Sequence, residues 1–252
     1  MAGNFKDHFS IAASDYARFR PQYPDELFAW LAQQCSRTDL AWDCATGNGQ
    51  AARALAGYFR AVVASDASGE QIAEAVAHPG VSYRVAPAEA SGLPDNSVNL
   101  LTVAQAVHWF DLDRFYAEAR RVLAPGGVIA LWCYGSGYFD SPALQAVFDD
   151  FYGNTLGAYW PPERALIESG YRDLDFPFAE IRAPEFAMHI DVGLPALIGY
   201  LGTWSATNRY RQSTGTDPLP ALQQAFAEHW GPPECIQRLH WPMHLRAGCC
   251  RP

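Results

Sequence analysis

Short apolar runs alternate with amphipathic segments along the first half of the chain. Five of these runs are predicted strands, over residues 40–44, 62–65, 81–85, 98–103 and 128–132. Between them, apolar positions at helical spacing predict helices over residues 50–59, 70–77 and 111–123. The fourth run is almost wholly apolar, which is typical of a strand in a parallel sheet covered on both faces. The alternation predicts an α/β fold with a doubly wound parallel sheet.

After residue 135 the pattern becomes weaker and more aromatic. Helices are predicted over residues 141–152, 161–169 and 219–229, and strand-like segments over 178–183, 185–189 and 239–247. Residues 194–206 form a further apolar segment. We predict a helical N-terminal arm or lid over residues 1–38 and a cofactor-binding core over residues 39–134. Residues 135–252 are predicted to be the C-terminal part of the same domain, with a helical cap and the last strands.

The first predicted strand leads into a tight glycine turn. Asp43 lies near the end of the strand, and Gly47 and Gly49 follow it before an alanine-rich helix. Glycine lets the backbone turn sharply and approach a ligand closely, because it has no Cβ. A second acid, Asp66, closes the next apolar run, where an acid can hold ribose hydroxyls. The sequence therefore predicts a site for a nucleotide-like cofactor at the carboxyl ends of the strands.

The spacing of the glycines leaves an alternative open. Gly47-x-Gly49-x-x-Ala52 also fits the dinucleotide-binding pattern, which would indicate an NAD(P)-dependent oxidoreductase. Asp43 disfavours this alternative, because its charge would lie close to a pyrophosphate. No second set of catalytic residues for a dehydrogenase is recognisable in the sequence.

Composition excludes several classes of protein. The formal net charge of −9 argues against a general nucleic-acid binder, which needs basic residues to neutralise phosphates. Hydrophobic residues make up 49% of the chain, enough for a sizeable core. The six cysteines show no C-x-x-C spacing, and no metal site is predicted. No run approaches the roughly 18 apolar residues of a membrane span, so a soluble, cytoplasmic protein is expected.

An ordered set of motifs resembles the signature of class I S-adenosylmethionine-dependent methyltransferases. The set consists of Asp43-x-x-x-Gly47-x-Gly49, Asp66 after the second strand, Ala88-Glu89 after the third, Asp95-Asn96-Ser97 before the fourth, and Arg121-Val122-Leu123-x-Pro125-Gly126-Gly127. Three further segments, residues 16–24, 105–111 and 241–246, are similar to the subgroup related to trans-aconitate methyltransferases, within the methyltransferases of type 11. The resemblance implies a Rossmann-like, doubly wound sheet of seven strands, mostly parallel, with an antiparallel last strand.

The same resemblance implies S-adenosylmethionine as the cofactor and S-adenosylhomocysteine as its product. The contacts that it implies are Asp43 for the ammonium, Gly47 and Gly49 for the methionine part, Asp66 for the ribose, Ala67 and Gln71 for the adenosine, Ala88 and Glu89 for the adenine, and Gln105 beside the methionine. The sequence departs from the commoner family motif at Ala45, where a third glycine often stands.

Methyl transfer from a sulfonium needs few catalytic side chains, because the leaving group is already good and the enzyme mainly aligns the reactants and excludes water. His108 is the candidate base, since an ordinary histidine pKa is about 6.5 and the residue follows the fourth strand. The alternative is a structural ring packed with Trp109 and Phe110.

A carboxylate acceptor would need no base and would instead be bound by a cation such as Arg20, Arg209 or Arg211. The last two arginines also fit a solvated helix face. Tyr16, Tyr23 and Trp109 are candidates for a lid over the acceptor or for contacts with it, while a packed arm is the alternative for the two tyrosines.

The sequence thus predicts a methyltransferase that acts on a small molecule, at a carboxylate or hydroxyl oxygen. It is expected to act as a monomer or a homodimer, without nucleic acid or membrane as partner. A non-catalytic module that only binds S-adenosylmethionine is the alternative from another class.

Overall fold

A computed structural model of the protein describes residues 21–250. The strands are β1 Leu40–Cys44, β2 Ala61–Asp66, β3 Val81–Val85, β4 Val98–Ala104, β5 Leu123–Tyr134, β6 Tyr138–Phe139, β7 Ala179–Ile181, β8 Phe186–Gly193 and β9 Ile236–Cys249. The α-helices are α1 Asp25–Gln34, α2 Gln50–Leu55, α3 Gly69–Ala73, α4 Leu112–Val122, α5 Pro142–Asp149, α6 Arg164–Glu168, α7 Leu194–Gly202, α8 Ser205–Thr214 and α9 Leu219–Trp230.

The chain forms two compact units that are not continuous in sequence. The first, the sheet unit, contains residues 22–135, 165–186 and 242–250. The second, the helical unit, contains residues 136–164 and 187–241. The sequence pattern contained no signal for these interleaved boundaries, because they depend on contacts between distant segments.

The sheet unit is built on five parallel strands in the order β3-β2-β1-β4-β5. Strand β9 then pairs antiparallel with β5, with Val128 opposite Cys249 and Tyr134 opposite Met243. Strand β4 is buried along nearly its whole length, as expected for an apolar strand in a covered parallel sheet. Helix α4 has its N-cap at Asp111, whose carboxylate accepts a hydrogen bond from the Arg114 amide, and it buries one face. The predicted doubly wound, mostly parallel sheet with an antiparallel last strand is confirmed.

The expected count of seven strands is too low for the residues that the structure describes, which contain nine. The region predicted as sixth-strand material forms two separate strands, β7 and β8, and the short β6 also takes part. All three pair with β9, which is long enough to offer several partners along its length.

Two helical regions of the helical unit are interrupted or change type. The apolar segment over 194–206 forms α7 and the start of α8, which are separated near Thr203, and the Thr207 hydroxyl donates to the Leu201 carbonyl at 2.8 Å across the break. The helix over 141–152 ends as an α-helix at Asp149 and continues as a π-helical segment, Asp150–Thr155. This segment contains Gly153, a poor helix former.

The core of the helical unit is aromatic. Phe139 of β6 lies edge-on to Phe226 and Trp230 of α9, with ring centroids 5.9 Å and 6.1 Å away. Helix α9 contacts both α5 and α7. Across residues 21–250, no helix combines the length and the apolar character that a membrane crossing requires.

Candidate active site

The glycine turn after β1 contains three left-handed residues. Ala45 has φ +55°, Gly47 +56° and Gly49 +83°. At Gly49 a Cβ would lie only 2.3 Å from the hydroxyl oxygen of Tyr83, so no other residue fits without moving that ring. Ala45 has the same left-handed conformation without being glycine, which explains why a third glycine can stand at this position in related sequences.

Asp43 is fully enclosed beneath this turn, with 1% of its surface exposed. One carboxylate oxygen accepts from the Thr46 hydroxyl at 2.5 Å, and the other from the Thr102 hydroxyl of β4 at 2.7 Å. The Ala52 amide also donates to the carboxylate. Burial raises the pKa of Asp43 to about 6 in spite of these three donors. The contacts of the carboxylate are all with the protein, so its structural role is to hold the glycine turn in place. Its charge lies just below that turn.

Asp66 joins the loops that follow β1 and β2. One of its oxygens accepts from the Gly47 amide at 2.9 Å and the other from the Ser68 amide at 2.9 Å. The Ala67 amide also donates to it, and burial raises its pKa. The side-chain oxygen of Gln71 lies 3.6 Å from the point where a Cβ on Gly47 would stand. Four of the predicted cofactor residues are thus brought together around one turn.

The loop after β3 is anchored at the start of α4. The carboxylate of Glu89 accepts a hydrogen bond of 3.2 Å from the Asp111 amide. Ala88 is 7% exposed and its methyl group belongs to the hydrophobic core. Only the backbone of Ala88 is therefore available to line a ligand site.

The side chain of Gln105 connects the ends of β4 and β5. Its amide nitrogen donates to the Tyr134 carbonyl at 2.9 Å, and its oxygen accepts from the Tyr134 amide at 3.2 Å. These two hydrogen bonds extend the pairing of β4 with β5 beyond the last backbone hydrogen bond between the strands. Gln105 itself is left-handed, with φ +56°. Its backbone amide also donates to the Trp132 carbonyl at 2.9 Å, so both its side chain and its backbone hold the strand ends together.

His108 lies in a short 3₁₀ turn, Val107–Trp109, directly after β4. Its Nδ1 is 2.9 Å from the hydroxyl oxygen of Tyr171, and its ring centroid is 4.8 Å from that of Trp109. The contact with Trp109 agrees with the structural interpretation of the ring. The contact with Tyr171 adds a polar partner that the sequence did not reveal.

Tyr23 packs against the end of β5. Its ring lies edge-on to Trp132 at 5.4 Å and close to Tyr134 at 6.3 Å. Tyr16 and Arg20, the other predicted residues of the N-terminal arm, lie outside the described residues. Of the other candidate cations, Arg211 pairs with Asp217 at 2.9 Å and Arg209 donates to the Tyr159 carbonyl at 3.5 Å.

The electrostatic character of this edge is negative. Burial raises the pKa of the Cys44 thiol, and the charges of Asp43, Asp66 and Glu89 raise it further. The three carboxylates therefore act on one region and favour a cationic ligand there. Among residues 21–250, no three His, Cys, Asp or Glu side chains are grouped so that they could hold a metal ion.

Several residues of this site were missed by sequence reasoning. Thr102 carried a weak signal, as a polar residue within an otherwise apolar buried strand. Thr46 lay inside the glycine turn without an assigned role. Tyr134 and Tyr171 carried no signal, because their roles depend on strand pairing and on contacts across 29 and 63 positions of sequence.

Comparison with known proteins decides the family. A family described as methyltransferase domain matches residues 42–131. A protein of Dictyostelium discoideum named as a methyltransferase is 35% identical over 225 residues, which cover 88% of this chain and 86% of that protein. This chain belongs to the class I S-adenosylmethionine-dependent methyltransferases. A solved structure from Anaeromyxobacter dehalogenans, named as a type II methyltransferase, is 48% identical, with a TM-score of 0.88 over 93% of this chain and 99% of that one.

A further relative, an uncharacterised methyltransferase of Mycobacterium bovis, is 38% identical over 124 residues, which cover 49% of this chain and 50% of that protein. Membership of the methyltransferase family decides against the oxidoreductase alternative. The finer resemblance to trans-aconitate methyltransferases is not specified by these relatives and stays a prediction.

Proposed function

We propose that this methyltransferase transfers the methyl group of S-adenosylmethionine to a carboxylate or hydroxyl oxygen of a small molecule. The observation that carries the proposal is the arrangement of the glycine turn. Its backbone, the Asp66 carboxylate and the buried charge of Asp43 meet at one edge of the sheet. A ligand with a cationic amino-acid part and a ribose fits this combination.

Asp66 fits the ribose of the cofactor. Each oxygen of a carboxylate can accept about two hydrogen bonds, and three backbone amides donate to Asp66. These amides hold the carboxylate in place and leave acceptor capacity for about one further hydrogen bond, which a ribose hydroxyl can donate. Ala67 and Gln71 would flank the adenosine, and Glu89 with the backbone of Ala88 would line the adenine.

Asp43 fits the ammonium of the methionine part through its charge. Both of its oxygens already accept from hydroxyl groups, so we propose that it acts across Thr46 or through water. Gly47 and Gly49 would bring backbone against the same part of the ligand, and Gln105 would lie beside it.

The bound cofactor supplies an electrophilic methyl group on a positively charged sulfur. The chain's contribution is to align the acceptor and exclude water. With a hydroxyl acceptor, the acceptor oxygen bonds to the methyl carbon as the carbon–sulfur bond breaks. The electron pair of that bond stays on sulfur, and we propose that the hydroxyl proton goes to His108. A carboxylate acceptor is already ionised near neutral pH and would instead use a cation, for which Arg20 remains the candidate.

Titration calorimetry tests the cofactor assignment. We expect S-adenosylmethionine and S-adenosylhomocysteine to bind the wild-type protein, and NAD and NADP not to bind. Asp66→Ala should weaken S-adenosylmethionine by about 1.5–3 kcal/mol, because the ribose hydroxyls lose a charged acceptor. Asp39→Ala is the matched control, since this acid lies before β1 at the opposite end of the strand and pairs with Arg37. Unchanged affinity in a folded Asp66→Ala variant would reject the ribose assignment.

The acceptor is found by following labelled methyl groups from S-adenosylmethionine into panels of small carboxylic acids, phenols, alcohols and amines. The proposal expects incorporation into carboxylates or hydroxyl compounds. Transfer confined to amines would refute the assignment to oxygen. Binding without any transfer would favour the non-catalytic module.

A further inference from the structure

Tyr171 is a buried partner of His108 that comes from a distant part of the sheet unit. Its side chain has no exposed surface, and its hydroxyl oxygen lies 2.9 Å from His108 Nδ1. The two ring centroids are 6.1 Å apart with the planes tilted by 38°. A hydrogen bond in the ring plane fixes which edge of the imidazole turns towards the protein interior.

The backbone at Tyr171 adopts a conformation that few residues with a side chain accept. Gly170 has φ +62° and Tyr171 has φ +60°, both left-handed. A Cβ at residue 170 would come within 2.7 Å of the His244 ring, so only glycine fits before the tyrosine. Strained backbone of this kind persists when the surrounding structure over-determines it, and it is concentrated at functional positions.

Arg246 of β9 holds the left-handed turn in place. Its guanidinium donates to the Tyr171 carbonyl at 3.1 Å and to the Leu174 carbonyl at 2.7 Å. The same guanidinium pairs with Glu180 and lies 4.7 Å above the Phe176 ring. An arginine side chain with this many partners is held in one conformation. The backbone of Tyr171 is therefore fixed, and its hydroxyl is held beside His108.

We infer that Tyr171 is a positioning residue that accepts the Nδ1 proton of His108 and thereby places the basic lone pair of the imidazole on Nε2. This inference rests on the proposed role of His108 as the proton acceptor. The donor in this hydrogen bond depends on the tautomer of the ring. Nδ1 faces the buried tyrosine oxygen, so in a ring that acts as a base the single proton of neutral imidazole lies on Nδ1 and is donated to that oxygen. Nε2 is then the nitrogen that takes the proton of a hydroxyl acceptor. In the resulting imidazolium, the proton on Nδ1 stays hydrogen-bonded to the Tyr171 oxygen.

Tyr171→Phe tests the inference, because it removes only the hydroxyl oxygen. The matched control is Tyr116→Phe. Tyr116 is also a buried tyrosine of the sheet unit, 3% exposed, and its hydroxyl has no hydrogen-bond partner within the part of the chain that the structure describes. Each variant removes one hydroxyl oxygen from a buried tyrosine, so the two disturb the core to a similar extent. Only Tyr171→Phe should affect His108.

The first measurement is the tautomer of His108 by long-range proton–nitrogen correlation NMR on protein with labelled histidine, at a pH where the ring is neutral. His108→Asn identifies the signal among the seven histidines. We expect a proton on Nδ1 in the wild type and in Tyr116→Phe, and loss of this preference in Tyr171→Phe. A wild-type ring protonated on Nε2, or a signal unchanged in Tyr171→Phe, overturns the inference without any knowledge of the acceptor.

The second measurement uses the hydroxyl acceptor that the labelled-methyl panel yields. Tyr171→Phe should lower kcat by about 10- to 100-fold, part of the ~10²- to 10⁴-fold that general acid–base help supplies, with KM for S-adenosylmethionine unchanged. In the His108→Asn background it should have no further effect. Additive losses overturn the inference. Failure of S-adenosylmethionine to bind would refute the proposed function instead, and the NMR signal would still decide the role of Tyr171.

Discussion

Glu118 of α4 is a buried carboxylate that ties the helix to the loop after β3. Its side chain is 9% exposed. It accepts from the Ser91 amide at 2.8 Å and the Ser91 hydroxyl at 2.6 Å, and from Arg121 at 2.8 Å and 2.7 Å. The same loop carries Glu89. Glu118 therefore supports the loop that is proposed to line the adenine.

These donors give Glu118 a measurable effect on stability. The hydrogen bonds from Arg121, followed by those from Ser91, lower its pKa from 4.5 to about 2. A pKa that is lower in the folded state stabilises the fold above the unfolded value, and the contribution is lost as the pH falls through the folded value. At ~1.4 kcal/mol per pKa unit, the contribution is about 3 kcal/mol at pH 7. It falls to less than half of that by pH 3 by the same relation.

We expect Glu118→Gln to lower the free energy of unfolding by about 3 kcal/mol at pH 7, and by less as the pH falls. Urea denaturation of both proteins at pH 7, 5, 4 and 3 measures the difference. Asp95→Asn is the matched control, because Asp95 also pairs with Arg121, at 2.5 Å, but its side chain is 70% exposed. It should cost less than about 1 kcal/mol. A difference for Glu118→Gln that stays constant from pH 7 to pH 3, or a control that costs as much, would refute this reasoning.

Two further predictions concern the glycine turn. Ala45→Gly should raise the free energy of unfolding by about 0.5–1 kcal/mol, because the φ of +55° is unfavourable for alanine. The control Ala54→Gly, within α2, should lower it by a similar amount. If urea denaturation shows that both variants are destabilised, the backbone at Ala45 is not strained. Because burial raises the pKa of Asp43 to about 6, protonation should remove its attraction for the ammonium, so affinity for S-adenosylmethionine should fall by up to about ten-fold between pH 7 and pH 5. Calorimetry of Asp43→Asn should show a flatter profile, and an identical profile would exclude Asp43 as the titrating group.

The doubly wound, mostly parallel sheet was accessible from the sequence, and so was a prediction of the edge at which a ligand would bind. Apolar runs with helices between them allow few arrangements other than a doubly wound sheet, and such sheets bind ligands at the carboxyl ends of their strands. Gly47, Gly49 and Asp66 could be assigned to one edge for this reason. Their contacts are local or join adjacent loops, so the chain order already carries the information.

Other features depended on tertiary structure. The sequence indicated that Asp43 is acidic and near the turn, but its burial beneath two hydroxyls requires β4 to supply Thr102 from 59 positions away. Gln105 was predicted to lie beside the ligand, and the structure adds that its side chain joins β4 to β5. Polar side chains at strand ends have two possible partners, a ligand or a neighbouring strand, and only the register decides between them.

By itself the sequence determined the fold class and the glycine turn, because these follow from local periodicity and short-range spacing. Its ordered motifs carried the resemblance to the family. Only the tertiary structure decided that β9 would pair with four other strands and that Arg246 would hold Tyr171 against His108. The physical reason is that a hydrogen bond between distant residues depends on the packing of every element between them. No pattern near His108 or Tyr171 specifies that packing.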